Sequence, residues 1–200
     1  MSQVRRLYVE KKPGFDGEAQ ALCRDLRHQL GLKGLTGVRI LVRYDVAGME
    51  DDDYAKACVS IFSEPMVDQI FHEELPEGMG QSFAREYLPG QYDQRADSAA
   101  QCVQLLTQGA RPQVRVATVY GLIGELTGEQ LEAVKGYLIN PVDSCQGPMN
   151  KFNTLDMVLD TPEDVKVMEG FTQLSRQDMA KLREEMGLAM SCLLYTSRCV

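Results

Sequence analysis

Polar side chains are crowded into one short stretch, YLPGQYDQRADSAAQC, at residues 87–102. Its Pro-Gly pair predicts a turn, and the alanine-rich run predicts a helix, so the polar group lies where that helix begins. Backbone N–H groups at a helix start lack intrahelical partners and carry partial positive charge, which with an arginine can hold a phosphate or carboxylate. The candidate ligand-binding residues are Gln91, Asp93, Arg95 and Ser98.

A capping interpretation of the same turn is also open, and composition alone favours it. Asp93 or Ser98 would accept hydrogen bonds from the first helical amides, and the other polar side chains would simply be solvated. The related stretch PGFDGEAQ, at residues 13–20, lacks both the arginine and the serine. A ligand site, if the chain has one, is therefore expected at the later turn.

Sequence motifs of complete active sites are missing. The chain has no G-x-x-x-x-G-K-[ST] loop, no G-x-G-x-x-G and no G-x-S-x-G, and GLIGELTGE at residues 121–129 is expected to be a turn before a helix. Its two histidines, His28 and His72, do not have the spacing of zinc ligands, so we expect both at the surface. We therefore predict no catalytic residue and no metal ligand.

The six cysteines are widely spaced and include no C-x-x-C pair. This spacing suits neither a zinc ribbon nor a compact disulfide framework. Cys23, Cys58 and Cys102 occupy positions where a small buried hydrophobe belongs, and nothing basic stands beside them to form a thiolate. They are expected to be reduced, inert packing residues.

Composition and charge exclude several classes of protein. The chain is 44% hydrophobic and 25% charged, which is ordinary for a folded globular protein. Its net charge of −8 disfavours nucleic acid and anionic membrane as partners, although residues 1–48 carry net +4 and residues 49–200 net −12. No apolar run approaches the roughly 20 residues of a membrane span, and MSQVRRLYVEKKPG lacks the apolar core of a secretory signal. We expect a cytoplasmic protein.

An internal repeat appears when the sequence is laid over itself with Pro13 on Pro89, a shift called the repeat offset below. Ten identities fall between residues 10 and 67 without a gap, where chance would supply about three or four. The matches lie on turns and strand centres, where backbone geometry restricts the choice of residue. The first members of the matching pairs are Glu10, Pro13, Gly14, Leu30, Val38, Arg39, Tyr44, Gly48, Ala57 and Pro65. We infer an internal duplication.

Hydrophobic periodicity predicts strands that alternate with helices in both copies. The first copy has predicted strands at 4–11, 37–46 and 67–75 and predicted helices at 16–31 and 51–62. The second has predicted strands at about 83–88 and 113–123 and helices at about 93–108 and 128–139, the last starting with a capping-box pattern, Thr127 to Gln130. The predicted fold class is α+β, with two units that join their sheets or pack face to face about a pseudo-twofold axis.

The same residues carry a family resemblance. VRRLYVEKKPGFDGEAQAL, GVRILVRYDV, IFSEP, YLPGQYDQRADSAAQCVQLLTQG, YLINPVDS and GLAM together resemble the N-terminal region of the phosphoribosylformylglycinamidine synthases in their large single-chain form, over about residues 4–190. YLPGQYDQRADSAAQC is the most specific block. The resemblance implies two tandem PurS-like units, at 1–76 and 77–148, followed from 149 to 190 by the start of a helical linker domain.

The resemblance also implies what the complete enzyme does. The family uses ATP, Mg²⁺ and glutamine to convert formylglycinamide ribonucleotide into formylglycinamidine ribonucleotide in purine biosynthesis. Its ATP, magnesium and glutaminase sites lie in later domains, so no cofactor is expected in this segment and the 200 residues alone are expected to be inactive. The expected partners are the downstream synthase and glutaminase domains. The expected role is an assembly platform, with a wall of the substrate cleft as a further open role.

Two points about the C-terminal part follow. LSRQDMAKLREEMG at 174–187 predicts a helix capped by Ser175, with Met179, Leu182 and Met186 in one stripe and Gly187 at its end. Residues 191–200, SCLLYTSRCV, depart from the family and are expected to be a non-native tail. The alternative to a ligase fragment is a stand-alone PurS-like subunit of a multi-chain synthase complex.

Overall fold

The computed structural model describes residues 3–156, 164–165, 167–168 and 170–187. Strands and helices alternate through residues 3–156, as the periodicity predicts, and β6 is the one element there that the sequence analysis did not predict. The elements are β1 (Arg5–Lys11), α1 (Gly17–Gln29), β2 (Leu35–Ala47), α2 (Asp51–Ser60), β3 (Asp68–His72), β4 (Gln81–Tyr87), α3 (Gln94–Thr107), β5 (Gln113–Gly124), α4 (Gly128–Leu138) and β6 (Ser144–Gly147).

Residues 158–200 form a separate unit. Its described part contains a short 3₁₀ helix, Phe171–Gln173, and helix α5, Arg176–Glu185. Ser175 accepts a hydrogen bond from the Asp178 amide at 3.3 Å, which confirms the predicted cap. Of the predicted stripe, Met179 and Leu182 are half-buried, whereas Met186 is exposed. The predicted non-native tail, 191–200, lies outside the described residues.

The strands of residues 1–157 form one antiparallel sheet with the order β3-β1-β2-β5-β4-β6. This confirms the α+β class, and it decides between the two arrangements left open, because the two halves join edge to edge through β2 and β5 rather than packing face to face. Both predicted repeats, 1–76 and 77–148, lie within this one compact unit. No α-helix among the described residues is long and apolar enough to cross a membrane.

The strand registers follow the same repeat offset as the sequence identities. Arg5 pairs with Val46 between β1 and β2, and Gln81 pairs with Leu122 between β4 and β5. At the middle of the β2–β5 ladder, Val42 lies opposite Thr118, which is its own counterpart at that offset. The pairing of the sheet is therefore symmetric about the Val42–Thr118 pair.

Helices α1 to α4 lie on one face of the sheet, and each end of that face is covered by one helix from each half. Helices α2 and α3 pack together over Leu7, Tyr44 and Val46. Helices α1 and α4 pack over Phe83, Tyr120 and Leu122 at the other end. Each helix pair thus combines one helix from each half, so neither half completes a core of its own.

Two irregular segments cover the opposite face of the sheet. Met79, which follows β3, packs on Tyr8, Leu41 and Val119 in an apolar cluster. Residues 148–156, which follow β6, cover the part of the face that carries buried charges, described below. Both faces of the sheet are therefore covered in part, and the two faces have different chemistry.

Candidate functional site

The predicted polar turn at residues 89–98 forms the start of α3. Asp93 is the N-cap of the helix, and its carboxylate accepts a hydrogen bond from the Ala96 amide at 3.0 Å. The capping interpretation is therefore confirmed for Asp93. The backbone N–H of Gln91 donates to the Leu88 carbonyl oxygen at 3.0 Å and closes the turn. Gly90 adopts a φ of 89°, a conformation that favours glycine.

Three of the four candidate ligand-binding residues line one cavity of about 490 Å³. Asp93, Arg95 and Ser98 contribute from the start of α3, while Gln91 is exposed and does not line it. The remaining lining comes from Gln94 and from two strands, with Arg85, Glu86 and Tyr87 on β4 and Val116, Ala117 and Thr118 on β5. The cavity is called the arginine cavity below, because Arg85 and Arg95 both line it.

Arg95 extends from α3 over the centre of the sheet. Its guanidinium approaches the Tyr44 hydroxyl of β2 at 3.5 Å. That hydrogen bond raises the pKa of Arg95, burial opposes the increase, and the carboxylates of Asp93 and Glu18 add to it. The residue is exposed and its guanidinium fully charged, so it is free to meet an anion.

Arg85 was missed by the sequence analysis. It lies within a strand rather than in a turn, and the helix side of β4 is recognisable only once the sheet is formed. Its Nε donates to the Ser144 Oγ at 3.1 Å, and its guanidinium lies 3.9 Å from the Asp143 carboxylate. These contacts hold the guanidinium near the cavity wall without burying it.

A second cavity, of about 430 Å³, lies beside the first, and Arg95 lines both. Positions related by the repeat offset differ in character. Val9 stands where the arginine cavity has Arg85, Ala19 where it has Arg95, and Val42 where it has Thr118. The carboxylate residues that line this second cavity are Glu10, Asp16, Glu18 and Asp68. It is called the acidic cavity below.

Among the described residues there is no group of three His, Cys, Asp or Glu side chains placed to hold a metal ion. His28 and His72 are exposed, as predicted. The arginine cavity offers guanidinium and hydroxyl groups, which are donors that bind an anion.

A buried charged cluster lies on the opposite face of the sheet and was also missed. The Asp45 carboxylate is fully buried, with the Arg6 Nε at 2.6 Å and the Arg43 Nε at 2.9 Å. Arg6 donates to the Met149 carbonyl oxygen at 2.7 Å, and Arg43 donates to the Pro148 carbonyl oxygen at 2.6 Å. In the alternation along β1 and β2 these charges occupy the positions of a polar, exposed face, so periodicity did not indicate that they are buried.

Phe152 closes this cluster from above. Its ring centre lies 4.4 Å from the Arg115 guanidinium, 5.6 Å from that of Arg43 and 5.7 Å from that of Arg6. An aromatic face attracts such cations. Burial lowers the pKa of Arg43, whereas the hydrogen bonds and charge of Asp45 outweigh burial and raise the pKa of Arg6. Ion pairs and the carbonyl oxygens of the covering segment surround the cluster, although Arg43 Nε and Nη2 make no hydrogen bond to the described residues.

The predicted packing cysteines fall into three different environments. Cys58 is buried, Cys23 is half-buried, and Cys102 is exposed on α3. The prediction was wrong for Cys102, because the face of α3 that packs on the sheet carries Ala99 and Val103 instead. Burial raises the pKa of the Cys58 thiol, so that side chain is a poor nucleophile.

Comparison with known proteins gives no family for this chain: it matches no protein-family model, and no curated protein is significantly similar to it. Any function assigned to it therefore rests on its residues and their geometry.

Proposed function

We propose that the chain is the N-terminal platform of a phosphoribosylformylglycinamidine synthase, built from two tandem PurS-like units. The main support for the proposal is that the sequence repeat and the strand pairing agree. The sequence identities and the strand registers relate the halves by the same repeat offset, with Val42 and Thr118 at the centre. A fused pair of PurS-like units is the arrangement that the family resemblance implies.

The helix packing gives a physical reason for a fused pair of units. Because each helix pair draws one member from each half, a single half would expose the apolar surface that its twin covers. Fusion of two copies makes the packing of one on the other intramolecular. The duplicated unit would then serve as a rigid base for other domains.

In the complete ligase, the chemistry would belong to later domains. Glutamine would be hydrolysed there, and the released ammonia would displace the ATP-activated amide oxygen of formylglycinamide ribonucleotide to give the amidine. ATP and Mg²⁺ are accordingly assigned to the synthase domains and not to this segment. We assign to this segment the platform role and, through Arg95 and Ser98, part of the wall of the substrate cleft.

The experiment is a reconstitution. The chain, fused to the later domains of a family ligase whose own N-terminal region has been removed, should restore amidine formation from formylglycinamide ribonucleotide, ATP and glutamine. The separate chain should hydrolyse neither ATP nor glutamine. No activity from a folded fusion would contradict the proposal, as would turnover by the 200 residues alone. Restoration by the unfused chain, added in solution, would instead favour the stand-alone subunit.

A further inference from the structure

The middle of the sheet is left open on its helix side. The α2–α3 pair packs at one end and the α1–α4 pair at the other. Between them, Ile40, Val42 and Thr118 face the helix layer but are only half-buried. The arginine cavity and the acidic cavity lie over this open strip, on either side of Arg95.

Both cavities contain charges of either sign, and they differ at positions that the repeat offset relates. In the arginine cavity, guanidinium groups come from two different elements, β4 and α3, and hydroxyl groups come from Ser98 and Thr118. In the acidic cavity, the positions equivalent to Arg85, Arg95 and Thr118 hold valine, alanine and valine. The donors are therefore specific to one side of a duplicated framework, and the framework itself does not need them.

Two carboxylates near the arginine cavity are engaged elsewhere, and a third pairs with only one of its arginines. Asp93 caps the helix through the Ala96 amide. Glu86 turns to the opposite face, where it pairs with Arg115 at 2.5 Å. Asp143 forms a long ion pair with Arg85, with 3.9 Å between the guanidinium nitrogen and the carboxylate oxygen. Two guanidinium groups and two hydroxyl groups thus face a space in which no carboxylate of the described residues neutralises both arginines.

We propose that the arginine cavity binds a small phosphorylated compound through its phosphate group, with Arg85, Arg95, Ser98 and Thr118 as donors. A phosphate offers more acceptor oxygens than a carboxylate and matches guanidinium groups from two directions. The volume of about 490 Å³ falls within the range of pockets for small organic ligands, so a sugar can accompany the phosphate. That the compound is the ribonucleotide substrate rests on the proposed function; the phosphate site itself does not.

The test is a titration of the 200-residue chain with ribose 5-phosphate, followed by calorimetry and by amide NMR shifts. We expect shifts at residues 94–98 and 118, and no binding of ribose. Arg95→Ala should weaken the affinity by at least about tenfold, because a lost charge-assisted hydrogen bond contributes roughly 1.5–3 kcal/mol. Arg24→Ala is the matched control: Arg24 is exposed on α1 outside both cavities, and its loss removes the same charge.

Several outcomes would overturn the proposal. They are an absence of binding by the folded chain, equal weakening by Arg95→Ala and Arg24→Ala, and shifts confined to residues outside the cavity. Equal affinity for inorganic phosphate and ribose 5-phosphate would overturn the assignment of an organic phosphate. Since this titration needs no ligase domain, its failure and the failure of the reconstitution are distinguishable.

Discussion

The two halves of the sheet share a framework and differ in what they place on it. Glu10 pairs with Arg39 at 2.6 Å, and at the repeat offset Glu86 pairs with Arg115 at 2.5 Å. On the same face, the first half carries Arg6, Arg43 and Asp45, where the second half carries Ser82, Val119 and Gly121. One backbone path thus accommodates a charged interior in one half and an apolar one in the other.

The difference shows what each interior requires. Asp45 is partnered by two arginines, so its charge is compensated. At the equivalent position, a Cβ added to Gly121 would lie 2.7 Å from the carbonyl oxygen of Met79, whose side chain fills that part of the face. Glycine is needed there for space. The framework accommodates either solution: ion pairs around a buried carboxylate, or a glycine that leaves space for an apolar side chain.

Among the residues that distinguish the two halves, Asp45 is expected to contribute most to stability. Asp45→Asn keeps the shape of the side chain and removes its charge, leaving Arg6 and Arg43 buried without an anion between them. We expect a loss of about 3–5 kcal/mol in the free energy of unfolding, because removing one partner of a buried ion pair strands the other. Urea denaturation monitored by circular dichroism measures it.

A triple replacement provides the control for this prediction. Arg6→Met, Arg43→Met and Asp45→Leu together remove every charge of the group and approximate the apolar solution of the second half. This variant should be more stable than Asp45→Asn, since buried ion pairs replaced by apolar side chains are often neutral for stability. A triple variant that is less stable than the single one would show that the charges stabilise the fold in themselves.

Most of the framework was predictable from sequence because local signals agreed with the final structure. The capping box at Thr127 and Gln130 is present, and β5, predicted at 113–123, extends over 113–124. Strand β6 was not predicted because SCQG is short, lacks alternation and becomes a strand only through pairing with β4. Periodicity could not predict that each end of the sheet is covered by one helix from each half. It shows only that a helix has an apolar face and not which strands that face covers.

The candidate site was half predictable for a related reason. Asp93, Arg95 and Ser98 are close in sequence, so a turn and a helix start are enough to bring them together. Arg85 and Thr118 join them only through the β4–β5 pairing, in which Arg85 lies opposite Thr118. Sequence spacing therefore identifies the cluster at the start of α3, but it does not identify the cavity wall that β4 and β5 contribute.

An intermediate effect on stability is expected at the Glu–Arg pair that both halves share. Glu10 contacts Arg39 and Gln69, whereas Glu86 contacts Arg115 and also lies 3.6 Å from the buried Arg43. We therefore expect Glu86→Gln to cost about 2–4 kcal/mol and Glu10→Gln about 1–2 kcal/mol. Parallel denaturation of the two variants checks this order. Equal costs would mean that Arg43 does not depend on Glu86.

The smallest effect concerns a contact that only the second half has, since Ala21 stands at the position equivalent to Asp97. The Arg111 side chain and the Tyr92 hydroxyl donate to the Asp97 carboxylate and lower its pKa. A carboxyl whose pKa is lower in the folded state adds stability above its unfolded pKa, near 4, and loses it as the pH falls through the folded value.

Asp97→Asn should therefore lower the melting temperature slightly at about pH 6, and the difference from the parent chain should shrink as the pH falls to about 3, below the unfolded pKa of about 4. The effect is small because the site is exposed and screened by solvent. Asp25→Asn, at an exposed position on α1, is the matched control and should give a smaller difference at pH 6. A difference for Asp97→Asn that stays constant between the two pH values would assign the loss to side-chain packing rather than to the charge, and would remove this contact from the features that distinguish the halves.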